Sequence, residues 1–79
     1  MFEKTIKFDT IQQVQKFVSV ISGIHVDFDL IHGRYIIDAK SIMGIFSLDL
    51  SSPLLLRVHT DDKTIESYIE TELNHLGLI

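Results

Sequence analysis

This chain of 79 residues contains no cysteine and no tryptophan, a single proline and only four glycines. Without cysteine it can form no disulfide and perform no thiol chemistry, so an apolar core must hold the fold together. Basic residues are also few, because seven lysines and arginines stand against eleven acidic residues and give a formal net charge of −4. With no basic stripe to hold phosphates, a nucleic-acid partner is disfavoured.

Long hydrophobic runs are missing as well. No apolar stretch approaches the ~20 residues that a membrane helix needs. The N-terminus lacks the basic segment and the long apolar segment of a signal peptide. We therefore expect a cytoplasmic protein that does not bind membranes. Hydrophobic residues make up 46% of the chain, which suits one small domain over residues 1–79 in which nearly every apolar side chain serves the core.

The first half of the chain predicts a strand followed by a helix. Residues 2–8 alternate between apolar and polar and predict a strand, although Lys4 falls on the apolar side. Asp9 or Thr10 can cap the helix that follows, and Gly23 can stop it by adopting the left-handed conformation. The apolar residues at helical spacing are Ile11, Val14, Phe17, Val18 and Ile21.

A β-hairpin is predicted next. Val26, Phe28 and Leu30 share one strand face, and the turn signal His32-Gly33 leads into an antiparallel return strand over residues 34–38. The inward-pointing residues of the return strand should be Tyr35, Ile37 and Ala39.

The rest of the chain predicts a short apolar segment, a strand and a last helix. Residues 41–48 fit a helix or a strand by pattern alone. After a break at 51–53, a final strand should turn Leu54, Leu56 and Val58 inward. Asp61 or Asp62 can cap the last helix, which Gly77 ends. Its apolar residues at helical spacing are Ile65, Tyr68, Ile69, Leu73 and Leu76.

The segment Lys40-Ser41-Ile42-Met43-Gly44, followed by Ser47-Leu48, resembles the regulatory-serine motif of HPr, the small phosphocarrier of the sugar phosphotransferase system. The resemblance and the cap position of Ser41 favour a helix of about two turns here. The element order is then βαββαβα, an α+β arrangement. It is also that of the HPr-like open-faced sandwich, a four-stranded antiparallel sheet with three helices on one face. A ferredoxin-like sheet competes, but it has no natural place for the short central helix.

This resemblance implies a regulatory site and a docking surface. In the family, the serine is phosphorylated by the ATP-dependent HPr kinase, and the apolar pair after it docks enzyme I, the kinase and a transcriptional regulator. A phosphate on Ser41 would lie at a helix N-terminus, which favours an anion. An exposed Ile-Met pair would offer a partner an adaptable apolar anchor. The expected partner-binding residues are Lys40, Ser41, Ile42, Met43, Phe46 and Leu48.

The chain departs from the family at the start of its first helix. HPr carries a Gly-x-His-x-Arg-Pro-type segment there, whereas residues 8–14 read Phe-Asp-Thr-Ile-Gln-Gln-Val. A phosphohistidine site needs an imidazole at a helix N-terminus and a cation beside it, and neither is present. Thr10 stands near the place of the missing histidine, and we interpret it as a helix cap. The sequence therefore predicts a regulatory or partner-binding module that is not an enzyme and needs no cofactor.

Two alternatives stay open. The chain could be an active phosphocarrier with a non-standard acceptor, for which His25 and His59 are the candidates, or a homodimeric assembly module that pairs its apolar patch with itself.

His25, Asp27 and Asp29 share one strand face, with His32 in the turn beyond, and such residues can bind a divalent metal. Their spacing matches no closed metal site, so we favour a solvated face.

Overall fold

The computed structural model describes residues 1–79. Its elements, in chain order, are β1 (Phe2–Ile6), α1 (Ile11–Ser22), β2 (Phe28–His32), β3 (Tyr35–Asp38), α2 (Ile42–Phe46), β4 (Leu54–Val58) and α3 (Lys63–His75). The strands form one antiparallel sheet in the order β1-β4-β2-β3. The predicted βαββαβα sandwich, with three helices on one face of the sheet, is confirmed. None of the three helices has both the length and the apolar character to span a membrane.

The alternation of β4 decides which face of the sheet carries the helices. Leu54, Leu56 and Val58 are buried, and the strand register places Ile6 beside Leu54 and Leu30 beside Leu56. Helices α1, α2 and α3 complete this core, which contains no polar residue. The buried residues are Ile6, Phe8, Val14, Phe17, Ile21, Phe28, Leu30, Ala39, Ile45, Leu54, Leu56, Val58, Ile69, Leu73 and Leu78. The other face of the sheet is open.

Lys4 lies on the helix-covered face, as the alternation of β1 predicts, and α3 supplies its partner. The Lys4 ammonium is 2.6 Å from Oε1 of Glu70 and 5.9 Å from the centre of the Phe2 ring. Both members of the ion pair are partly exposed, because β1 is an edge strand. The charge therefore stays in contact with water while its aliphatic stem covers apolar surface.

Side-chain caps mark the helix starts. The Thr10 hydroxyl accepts the amide hydrogen of Gln13 at 3.1 Å, and the Gln13 side chain accepts the amide hydrogen of Thr10 at 3.0 Å, which completes a capping box. Asp62 caps α3 by accepting from the backbone N–H groups of Thr64 and Ile65. Caps were predicted at Asp9 or Thr10 and at Asp61 or Asp62, and the structure uses Thr10 and Asp62.

The predicted end of α1 at Gly23 is confirmed, but the predicted left-handed conformation of Gly23 is wrong. The helix does stop at Gly23, yet the φ of Gly23 is −83° and is not left-handed. The amide of Ile24 donates to the carbonyl of Ile21 at 3.0 Å, and this tight turn needs no positive φ. The left-handed glycines are Gly33, with φ of 60°, and Gly77, with φ of 74°, just past α3.

Three residues that periodicity placed on inward faces are exposed instead. Ile11, Tyr35 and Tyr68 keep 61%, 64% and 49% of their surfaces accessible. Ile11 is the first residue of α1, and Tyr35 adjoins the hairpin turn, so each lies where the opposing layer ends. Tyr68 precedes buried Ile69 by one residue and sits at the margin of the apolar stripe of α3. Val26 was predicted in the second strand, but β2 begins at Phe28.

The two faces of β4 provide a direct test of this architecture. Leu56→Ala should lower the free energy of unfolding by about 2–5 kcal/mol, because it opens a cavity in the core. Leu55→Ala is the matched control: Leu55 is adjacent, on the open face and partly exposed, so its truncation should cost clearly less. Urea denaturation measures both changes, and equal losses would contradict the one-sided burial of the sheet.

Candidate functional site

Helix α2 is built on a close packing of Ser41 against Gly44. Ser41 has extended backbone angles, and its hydroxyl accepts the amide hydrogen of Gly44 at 3.1 Å. A Cβ on Gly44 would lie 3.2 Å from Oγ of Ser41 and 3.3 Å from Cδ1 of Ile37. The lack of a side chain at Gly44 therefore lets the first turn of α2 sit close to β3.

The helix is shorter than the two turns predicted. It ends at Phe46, because both the amide and the hydroxyl of Ser47 donate to the carbonyl of Gly44, at 3.1 Å and 2.6 Å. The amide of Leu48 then donates to the carbonyl of Ile45 at 3.1 Å. These i to i+3 bonds tighten the last turn and close the helix early.

The side chains of α2 divide into anchors and free surface. Ile45 is fully buried, and Ile42 and Leu48 are partly buried and packed against the core. Met43 and Phe46 point outward, with 79% and 42% of their surfaces accessible. The predicted exposed Ile-Met pair is therefore wrong for Ile42, whose helical position turns it partly toward the core. We call the exposed pair Met43 and Phe46 the α2 surface.

Lys40 joins this segment to the end of α1. Its ammonium donates to the carbonyl of Ile24 at 2.7 Å and lies 5.6 Å from the centre of the Phe28 ring. Its amide donates to Oδ1 of Asp38 at 2.9 Å. Lys40 therefore positions the start of α2 and places a positive charge one residue before Ser41.

Asp49 orders the loop after α2, a role that the sequence analysis missed. Its Oδ1 accepts from the hydroxyl of Ser51 at 2.5 Å and from the amide of Ser51 at 3.0 Å. Both bonds from Ser51 lower the pKa of the Asp49 carboxyl below its ordinary value, and the bond from the hydroxyl has the larger effect. An aspartate that bonds to a backbone amide two residues on is a known turn former, so the pattern Asp49-Leu50-Ser51 could have predicted it.

The start of α1 is closed by its own side chains. The Thr10 hydroxyl is engaged in the capping box, and the nearby Lys7 ammonium lies 2.9 Å from the carbonyl of Phe8 and 3.3 Å from Oδ1 of Asp9. A shallow concavity brings Ile11 close to Leu50, in the loop after α2. The exposed Ile11 was not predicted as a surface residue, because helical periodicity gives no sign of where the covering layer ends.

Three of the four histidines lie in two separate surface concavities. Nε2 of His59 is 2.7 Å from Oδ2 of Asp29. His25 and Asp27 share an open concavity with His59 and Lys40, whereas His32 lies elsewhere, in a concavity with Tyr35 and residues 47–49. No three His, Asp or Glu side chains come together in a group that could hold a metal ion.

The Asp49 turn can be tested by titration. Ser51→Ala removes the hydroxyl donor, so the carboxyl pKa should rise toward its ordinary value of 3.8. A lowered folded pKa adds stability that is present above the unfolded pKa and is lost as the pH falls through the folded pKa. The wild type should therefore lose stability below about pH 4 more steeply than the variant. Carbon-detected NMR titration and acid denaturation measure both effects, with Ser22→Ala as control, and an unchanged Asp49 pKa would contradict this role.

Comparison with known proteins supports the fold. A crystal structure of HPr-C-His from Thermoanaerobacter tengcongensis is similar to this chain with a TM-score of 0.74 and 26% sequence identity. The match covers 92% of this chain and 90% of that one. No protein-family model matches the sequence, and no curated protein matches it. The resemblance of the sequence to HPr is thus confirmed at the level of the fold: this chain has an HPr-like fold.

Proposed function

We propose that this chain is a regulatory or partner-binding protein of phosphotransferase-system type that acts in the cytoplasm and does not carry a phosphoryl group on histidine. The observation that carries the proposal is the α2 surface, where Met43 and Phe46 are exposed on the helix that Ser41 caps. An exposed apolar cluster on a small protein commonly marks an interaction site. The unbranched Met43 can adapt to partners of different shape.

The geometry of α2 suits docking because its buried and exposed residues lie on different faces of the helix. Ile45 holds the helix in the core, and partly buried Ile42 and Leu48 also pack against the core. Met43 and Phe46 are thereby presented on a backbone that need not be ordered when a partner binds. Pre-organisation of this kind reduces the entropy cost of association.

Phosphorylation of Ser41 would change this surface. A phosphate adds about −1.5 to −2 charges at neutral pH, beside Met43 and one residue from the ammonium-bearing Lys40. A partner that buries Met43 would then have to desolvate or pair that charge. Phosphorylation of Ser41 would therefore disfavour partners with an apolar docking site and favour partners with a basic one.

The start of α1 supports the absence of histidine phosphotransfer. No histidine precedes His25 in the sequence. At the N-terminus of α1 the Thr10 hydroxyl is engaged as a cap, and Lys7 already contacts a carboxylate and a carbonyl. A phosphoryl group would find neither an imidazole nor an uncommitted cation there.

A second candidate function is favoured by the contact between His59 and Asp29. A carboxylate on one ring nitrogen orients an imidazole and leaves the other nitrogen as a nucleophile. In this reading the chain is an active phosphocarrier with His59 as its non-standard acceptor. Its phosphate would be acid-labile, which distinguishes it from a phosphoserine.

The third reading, a homodimeric module that pairs the α2 surface with itself, would show as self-association that is lost in Met43→Glu.

Mass spectrometry of the intact protein tests the proposal. Incubation with HPr kinase and ATP should add one acid-stable phosphate to the wild type and to Ser47→Ala, but none to Ser41→Ala. Enzyme I with phosphoenolpyruvate should add none, while an authentic HPr is modified in parallel. Because loss of the cap in Ser41→Ala costs about 1 kcal/mol, its folding is checked by circular dichroism. An acid-labile phosphate from enzyme I would contradict the proposal, and its loss in His59→Ala would favour the second candidate.

The docking role of Met43 is tested by kinase kinetics. Met43→Ala should lower the kcat/KM of HPr kinase for this chain at least tenfold, since truncating an interface anchor costs about 2 kcal/mol or more. Tyr68→Ala, which shortens an exposed apolar side chain on α3, should leave kcat/KM unchanged. Met43 is 79% exposed, so Met43→Ala should unfold at the urea concentration of the wild type. Equal kinetics for wild type and Met43→Ala would remove Met43 from the docking surface.

A further inference from the structure

The edge strand β3 leaves backbone hydrogen-bonding groups without a strand partner. It is the last strand of the sheet, and its hairpin closes on the pair His32 and Tyr35 around a two-residue turn in which Gly33 has a φ of 60°. The closing pair of such a hairpin exchanges both hydrogen bonds, and bonded pairs then alternate along the strands. Tyr35 and Ile37 therefore bond to β2, whereas the N–H and C=O of Ile36 point away from the sheet.

The side chains of β3 do not protect this edge. Natural edge strands are commonly shielded by lysine, proline or a bulge. Here Tyr35 and Ile36 keep 64% and 61% of their surfaces accessible. The register also aligns Leu55, Ile31 and Ile36 in one row across the open face. An apolar row therefore runs to the edge of the sheet and ends there, at Ile36.

The charges that flank Ile36 are self-complementary. Arg34 lies two residues before it and Asp38 two residues after it. Arg34 forms no ion pair within the chain, and Asp38 uses only Oδ1, to accept from the Lys40 amide. In an antiparallel pairing of two β3 strands centred on Ile36, each Arg34 stands opposite Asp38 of the second copy. Opposite charges directly across a strand pair stabilise the pairing.

The charges favour one register of this pairing over its neighbours. A two-fold axis at Ile37 would place Arg34 opposite Lys40 of the second copy, and an axis at Tyr35 would place it opposite Ile36, so of the three the axis at Ile36 is the one that pairs Arg34 with Asp38. At Ile36, the N–H and C=O of the two copies can bond reciprocally, and the N–H of Asp38 can donate to the carbonyl of Arg34. The carbonyl of Asp38 already accepts from the Ser41 amide at 3.0 Å, so four backbone bonds are expected in all.

We propose that two copies of this chain associate through β3, with a two-fold axis at Ile36, to form one continuous sheet of eight strands. Such an interface is isologous, because each copy uses the same residues. The apolar row then continues from Leu55, Ile31 and Ile36 of one copy into the same residues of the second. The contact area of a four-residue strand is small, so the dimer is a weak one that forms at high protein concentration.

Analytical ultracentrifugation of charge variants tests the register. Over about 10 µM to 1 mM, a range suited to weak interfaces, the wild type should shift from monomer to dimer. Arg34→Asp and Asp38→Arg should each weaken association at least tenfold, because each turns two attractive pairs into two repulsive ones. An equimolar mixture of the two variants should associate again, since both pairs are then opposite in charge. Lys16→Asp, an exposed change on α1, is the matched control and should dimerise like the wild type.

A second measurement keeps the proposal testable if Asp38→Arg disturbs the entry to α2. Ile36→Lys places a charge on the two-fold axis and should keep the chain monomeric and folded. Amide NMR shifts that depend on wild-type concentration should be centred on residues 34–38. The proposal is overturned by a wild type that stays monomeric at 1 mM, by a dimer that survives Ile36→Lys, or by shifts centred on Met43 and Phe46, which would assign association to the α2 surface.

Discussion

The burial of Ile45 is the interaction on which the α2 surface depends. A helix of five residues has no stability of its own, because too few hydrogen bonds form to offset nucleation. Ile45, wholly enclosed by the core, holds α2 against the sheet, and the close contact of Gly44 with Ile37 sets the distance. Once Ile45 is inside, the helical turn directs Met43 and Phe46 outward. The exposed pair is thus a consequence of core packing and not of any local preference of its own residues.

Asp38 connects the edge strand β3 to the start of α2. It is the last residue of β3, its carboxylate accepts from the amide of Lys40, and its carbonyl accepts from the amide of Ser41. The end of the edge strand and the start of α2 are therefore joined by two hydrogen bonds. A phosphate on Ser41 or a strand docked on β3 would act on the same short connection.

Several features of the fold could be predicted from the sequence because they arise from local physics. Alternation in β4 and helical spacing in α1 and α3 identified most of the core, and His32-Gly33 identified the hairpin. The burial errors at Ile11 and Tyr35 share one cause. Periodicity shows which face of an element a residue occupies, but not how far the opposite layer extends over it. Ile11 and Tyr35 lie on the expected faces near the ends of their elements, where nothing covers them.

The sequence by itself determined the order of the elements, the presence of helix caps at residues 9–10 and 61–62, and the segment around Ser41 that resembles HPr. These depend on residues within a few positions of one another. Only the tertiary structure decided that Ile42 packs inward while Met43 stays free, that Asp29 meets His59, and that β3 is an edge of the sheet. Each of these depends on strands and helices that are distant in the chain and are brought together by burial of the common core. No local pattern records that arrangement.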